Sequence, residues 1–353
     1  MVSLSDIARA VGFNVSVVSR ALNPSPDSHA VVRKETRELI QATARRMGYV
    51  PNRQASFGRK KRSATILCFI PYYGDRLIAD LMFGIAQAAA KENFPVNFHH
   101  GQNPEDLRSF LHQTNALQHS GLIAFPTQIL REEMTQLLNY QKINKNLLLL
   151  NVASSVQDKG LDEEAFADIL QVGIDDEFGG MLAAKHLIAC GCTRFFMTKC
   201  LSLPYRLRYE GFRKAVEEAG FKMEGFLETS DDYLAVSRCG QKVGVYADRD
   251  RQAFNDLIFF ARHHVVPGEG NVLLVGNDDK QQARFSVPTL TTVHQPSMEE
   301  GILAVEKLIH IIFGQPEVSE TLKPSLHVRQ STGNQGDDYF ITPDDAMKGI
   351  FKH

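Results

Sequence analysis

A small all-α headpiece joined to a two-lobed α/β body with parallel sheets is the fold class that this 353-residue sequence predicts. Three observations carry the prediction. Charge is split along the chain: residues 1–63 hold twelve Lys and Arg against four acids, and the remainder holds 27 against 37, although the whole chain is only −2. The first fifty residues place apolar side chains at helical spacing, interrupted by Gly12 and Gly48. From Ser63 onward, short aliphatic runs alternate with amphipathic stretches, the pattern of parallel strands joined by helices. A chain of this length exceeds one compact core, so two or three domains are expected.

The headpiece reads as three helices. Ser3 supplies a hydroxyl and Asp6, three residues on, a carboxylate, a capping-box-like helix start. Leu4, Ile7, Ala8 and Val11 then form one buried face. Gly12 ends that helix and Asn14 caps a second over 15–22, with Val18 and Leu22 turned inward. A third helix over about 33–47 offers Thr36, Leu39, Ile40 and Ala44 as cover. Two short helices joined by a glycine turn make a helix-turn-helix. Val15, Ser16, Ser19 and Arg20 stay outside, where Val15 suits a thymine methyl, Ser16 a base edge or phosphate, and Arg20 a bidentate guanine contact. A basic head on an acidic body likewise points to a polyanion partner.

In the body, strand-like runs fall at 65–70, 96–99, 121–125 and 147–151, and again at 195–198, 244–247 and 272–275. Helical stretches lie at 79–93, 105–117, 131–141, 176–190, 206–219, 251–263 and 297–313. Two series imply two lobes, with ligands at the carboxyl ends of the strands. Enzyme signatures are missing: there is no GxxxxGK[ST] loop, no GxSxG elbow, and no GxGxxG after a strand. The chain is therefore not expected to be an enzyme, and no cofactor or metal is expected. His99-His100 and His263-His264 read as surface or strand-end pairs, and Asp278-Asp279, which follows a strand, as acid/base or Mg²⁺-binding groups or equally as a ligand contact or cap. The five cysteines, including Cys190 and Cys192, read as reduced apolar fillers. No apolar run approaches the roughly 20 residues of a membrane span. The start MVSLSDIARAV lacks a signal-peptide layout, so a cytoplasmic protein without membrane contact is expected.

Asp6-Ile7-Ala8, residues 15–23 (VSVVSRALN), Glu35-Thr36-Arg37 and residues 48–52 (GYVPN) resemble the headpiece of the lactose/galactose repressor family. The resemblance continues through 173–180 (GIDDEFGG), Glu210-Gly211-Phe212-Arg213, 275–279 (VGNDD), 290–296 (LTTVHQP) and 327–332 (HVRQST), covering about 2–332. It implies a periplasmic-binding-protein-like (type I) effector body and a sequence-specific DNA-binding regulator. Such a regulator represses carbohydrate-related genes, binds a near-palindromic double-stranded operator as a homodimer, and answers a small-molecule effector, a sugar or sugar derivative. The alternative is a sugar-binding protein without a gene-regulatory role.

The implied division is a headpiece at 1–50, a hinge at 51–63, a body at 64–333 and an extension at 334–353. Lobe 1 takes about 64–173 and 294–322, and lobe 2 about 174–293 and 323–333. Further DNA contacts are implied for Ser5, Asn14, Val17, Asn23, Tyr49 and Asn52. In the hinge, Gly58 stands where the family carries a wedging Leu; either Phe57 enters the minor groove instead, with Arg59 and Lys60 on the backbone, or nothing is inserted and the basic run 59–62 holds the backbone electrostatically. The implied ligand residues are Tyr72, Tyr73 and Asp75 after the first strand, together with Asn151, Asp175, Arg208, Asp250 and Asp278. Arg249 replaces a family Asn. The tail is expected to form a small docking helix over 346–351.

Overall fold

The computed structural model describes residues 2–22, 32–49, 64–72, 76–114, 117–152, 166, 168–198 and 205–351. In the headpiece, α1 (Leu4–Val11) starts at the expected capping box: Asp6 N–H donates to Ser3 Oγ and Ser3 N–H to the Asp6 carboxylate. Gly12 closes it in the left-handed conformation at φ +70°. Helix α2 (Val15–Leu22) and α3 (Lys34–Arg46) complete a core of Ile7, Ala8, Val18, Ala21, Ile40 and Ala44. Two expectations change. Ala21 takes the inward position given to Leu22, which is half-buried, and Leu39 is 51% exposed because Ile40, Thr43 and Ala44 define the inner face of α3.

The body holds two sheets among the described residues. The first is wholly parallel, in the order β11-β5-β4-β3-β1-β2. It comprises β1 (Ile66–Pro71), β2 (Val96–Gly101), β3 (Gly121–Ala124), β4 (Leu147–Leu150), β5 (Leu170–Ile174) and β11 (Glu320–Leu322). Helices α4 (Arg76–Lys91), α5 (Pro104–Thr114), α6 (Arg131–Asn144) and α11 (Ser297–Ile312) belong to this lobe. Strands β1, β3 and β4 are buried throughout, so their sequences run apolar without alternation.

The second sheet runs β13-β12-β10-β9-β8-β6-β7. Strands β6 (Arg194–Thr198), β7 (Met223–Leu227), β8 (Val243–Tyr246), β9 (Val272–Asn277) and β10 (Thr291–His294) are parallel, whereas β12 (Ser325–Val328) and β13 (Tyr339–Ile341) are antiparallel additions. Helices α7 (Asp176–Ala189), α8 (Arg206–Glu218), α9 (Ser230–Arg238), α10 (Asp250–Arg262) and α12 (Pro343–Met347) belong with it. The chain passes between the sheets after β5, β10 and β11. The tail therefore adds a strand to the second sheet, and its helix lies at Pro343–Met347 rather than 346–351. Burial pushes the thiols of Cys190 and Cys192 up to about 11 and about 12, which suits reduced packing residues. Among the described residues, no helix is long and apolar enough to cross a membrane.

Candidate functional site

The headpiece presents its candidate face on α2. Asn14 Oδ1 accepts from the Ser16 N–H at 3.2 Å, fixing the start of the helix. Val15 remains 40% exposed, Ser16 is exposed, and Ser19 and Arg20 are half-buried. Arg20 Nε donates to the Ser16 carbonyl at 3.1 Å, which lays the guanidinium along the helix towards its first turn. Ser5 is exposed on α1, whereas Val17 and Tyr49 pack partly against the headpiece core. The structure thus brings Asn14, Val15, Ser16, Ser19 and Arg20 onto one short helix and its cap. Asn23, Asn52, Phe57, Arg59 and Lys60 lie outside the described residues.

The body site is built on the close approach of α7 and α8. A Cβ at Gly180 would fall 2.0 Å from the Arg208 carbonyl oxygen, and one at Gly211 would fall 1.9 Å from the Glu177 carbonyl oxygen. Only glycines allow that contact, and it delivers Arg208 to Asp176: Nε donates to Oδ1 at 2.7 Å. Arg208 Nη1 also donates to the Asp248 carbonyl at 2.6 Å and lies 3.5 Å from Asp278 Oδ1. Burial works against the charge of Arg208, but the neighbouring Asp176 and Asp278 carboxylates hold its pKa above the ordinary value. Asp278 Oδ1 also accepts from Asn277 Nδ2, and Asn277 Oδ1 accepts from the Tyr246 hydroxyl. A continuous polar network therefore runs from β8 through the end of β9 to α8. Tyr205 stands beside it, its ring centroid 5.0 Å from the Arg208 guanidinium and 4.4 Å from that of Arg249.

Asp278 has φ +112°, an unfavourable conformation for a side-chain-bearing residue, and the surrounding loop explains how it is held. The Asp278 N–H donates to the Val293 carbonyl at 2.8 Å, the Asp279 N–H to Thr292 Oγ1 at 3.2 Å, and the Lys280 N–H to Asp250 Oδ2 at 2.7 Å. Asp250 Oδ1 in turn accepts from Thr292 Oγ1 at 2.6 Å. Asp250 is fully buried with both oxygens used, and burial followed by the charge of Asp278 pushes its pKa up. It positions the loop of Asp278 rather than standing on the same surface as Arg208.

The remaining sequence-predicted residues separate. Tyr72, mostly exposed, follows β1 with its ring edge-on to His100 at 6.2 Å, and its carbonyl accepts from Gln102 Nε2. Asn151 serves a crossover: its Oδ1 accepts from the Ile174 N–H at 3.1 Å and its Nδ2 donates to Glu300 at 2.7 Å. Asp175 caps α7 by accepting from the Phe178 N–H. Tyr73 and Asp75 lie outside the described residues. Sequence reading did not find Asp176, Tyr205 or Asp248, nor Arg76, whose Nη1 reaches the Asp279 carbonyl at 3.3 Å from the first lobe. Their only sequence signal was proximity to a strand end or helix start.

Comparison with known proteins accounts for both halves. The bacterial regulatory proteins of the lacI family match residues 3–52, and the periplasmic binding protein-like domain matches residues 184–332. The HTH-type transcriptional repressor PurR of Haemophilus influenzae strain PittEE is 23% identical over 350 residues, covering 94% of this chain and 98% of that protein. PurR of Pasteurella multocida strain Pm70 is 24% identical over 353 residues, with coverages of 94% and 98%. Among solved structures, a lac repressor dimer bound to operator and the anti-inducer ONPF matches with TM-score 0.62 at 22% identity, covering 94% of this chain and 99% of that one. The transcriptional regulator CelR in complex with cellobiose matches with TM-score 0.61 at 22% identity, covering 94% and 100%. A helix-turn-helix ahead of a two-lobed binding body is the build of a DNA-binding regulator rather than an enzyme, and this chain carries a lacI-family helix-turn-helix domain followed by a periplasmic-binding-protein-like domain, similar along nearly its whole length to DNA-binding repressors.

Proposed function

We propose that the chain is a cytoplasmic repressor of carbohydrate-related genes that grips a near-palindromic operator as a homodimer. A sugar or sugar derivative between the lobes changes that grip. On this reading the headpiece is 1–50, the linker 51–63 and the effector body 64–333. Base and phosphate contacts come from Ser5, Asn14, Val15, Ser16, Ser19 and Arg20, and Phe57 takes the place of the absent hinge Leu. The effector lies against Tyr72, Arg208 and Asp278, at the carboxyl ends of the strands, where open α/β sheets bind ligands.

The observation that carries the effector reading is the Arg208–Asp278 network. It joins one planar donor fork to a carboxylate, a pairing suited to hydroxyl groups that both donate and accept. Among the described residues, Arg208 is matched by Asp176 and Asp278, Arg249 by Asp248 and Arg76 by Asp80, so these three arginines leave no surplus charge asking for an anionic ligand. An uncharged polyol fits this balance, and the cellobiose of CelR is such a ligand.

Linkage between the two sites needs only about 1–3 kcal/mol of coupling free energy. Two measurements test the reading. Retardation of a duplex selected from random sequence should vanish when residues 1–62 are deleted. A thermal-shift screen against neutral sugars should find one that stabilises by about 2.7 kcal/mol at 100 times its Kd. Retardation that survives the deletion, or stabilisation only by anionic or apolar compounds, would overturn the reading.

A further inference from the structure

The segment after Gly333 reaches the cleft loop from behind. Strand β13 pairs with β12 so that Phe340 stands directly opposite His327, their rings 3.9 Å apart, and Phe340 also meets His294 edge-on at 5.9 Å. Asp338 Oδ2 accepts from Arg329 Nε at 3.0 Å. Arg329 is fully buried, and its other groups donate to the Leu290 carbonyl, to Asp279 Oδ1 at 2.7 Å and to His327 Nδ1 at 2.6 Å. His327 Nδ1 also lies 3.4 Å from Asp279 Oδ2, and its Nε2 is 3.9 Å from Asp338 Oδ2. His294 Nδ1 lies 3.1 Å from the second oxygen of Asp279. Burial would raise Asp279, but His294, His327 and Arg329 together hold it well below the usual carboxylate range.

We propose that Asp338 and Phe340 are positioning residues of the cleft: they lock the Arg329–His327–Asp279 cluster and thereby set the loop that carries Asp278. Asp279 is the joint. Its side chain is clamped by the cluster, its N–H is held by Thr292, and its carbonyl accepts Arg76 of the other lobe. Without Asp338 the buried guanidinium loses the partner of its Nε and is free to re-pair within the lobe, which loosens its hold on Asp279. The tail thus acts on Asp278 and on the cross-lobe contact without touching either. The link to effector response rests on the proposed function, but the positioning itself does not.

Amide hydrogen exchange on the full chain, with no small molecule added, tests it. In Asp338→Ala the Asp278, Asp279 and Lys280 amides should exchange at least tenfold faster, with β6 and β7 peptides unchanged, and Asp338→Glu should restore the parent rate. Phe340→Ala, at a half-exposed position, should give the same pattern more weakly. An unchanged loop in both variants, or an equal acceleration across all second-lobe peptides, would overturn the proposal, the latter because the tail would then only add to lobe stability. Neither outcome bears on sugar binding, and a failed sugar screen leaves the exchange result standing.

Discussion

Glu300 gives the sharpest prediction because a buried carboxyl sits where the chain passes between lobes. It lies in the first turn of α11, only 1% exposed, and its Oε1 accepts from Asn151 Nδ2 at 2.7 Å. Burial pushes its pKa up to about 8; the Asn151 hydrogen bond opposes the shift, and the Asp176 charge across the crossover adds to it. The native state then keeps a proton that the unfolded chain releases near 4.5, so this group's contribution is complete below that value. Stability should fall as pH rises from there to about 8 and be flat above it, a loss of about 3 kcal/mol by pH 7 at 1.36 kcal/mol per decade. Glu300→Gln keeps an oxygen to accept from Asn151 and never ionises. The variant should match the parent near pH 4 and exceed it by about 4 kcal/mol at pH 8, read by denaturant unfolding across that range. Asp256, pushed by burial up to about 7, imposes a slope of the same sign on both proteins, so the difference between them is the quantity to measure. A difference that does not vary with pH, or a loss at every pH, would show that Glu300 is ionised in the native lobe and refute the argument.

Four further outcomes follow from the same geometry. Arg20→Ala should cost about 1–3 kcal/mol on the selected operator and relax preference at one base pair per half-site, whereas equal loss on random DNA would make Arg20 a phosphate contact. Arg208→Ala leaves Asp176 and Asp278 buried without their cation; it should cost about 3–5 kcal/mol of stability and abolish the sugar-induced thermal shift, while operator retardation persists. Gly211→Ala drives a methyl group into the Glu177 carbonyl and should destabilise by about 1–3 kcal/mol while weakening the sugar response, because α7 and α8 must separate. Phe57→Ala should reduce operator bending and the preference for a flexible central step, and unchanged bending would exclude Phe57 as the wedge.

How much of this the sequence disclosed depended on whether the determining contacts were local. The capping box of Ser3 and Asp6, the stop at Gly12 and the apolar run of β4 are settled within a few residues, and each appears where the pattern places it. Strands β5, β7, β10, β11 and β13 were missed: they are three to five residues long, all but the buried β10 are polar or half-exposed, and they owe their conformation to neighbours already in place. The cleft divides in the same way. Arg208 was implied by the family resemblance, but its partners Asp176 and Asp278 are 32 and 70 residues away, joined only by the fold. Asp250 shows the cost of reading position without direction. As the first residue of α10 it sits at a strand end like a ligand contact, yet its carboxylate turns inward to Thr292 and the Lys280 amide. The residues that hold Asp278 at its unfavourable φ come from β10 and α10, with the tail behind them, and no local pattern marks any of them as parts of one site. Strain at one loop residue has to be met by partners elsewhere, and it is those distant partners that make the cleft a property of the whole second lobe rather than of the motif that advertises it.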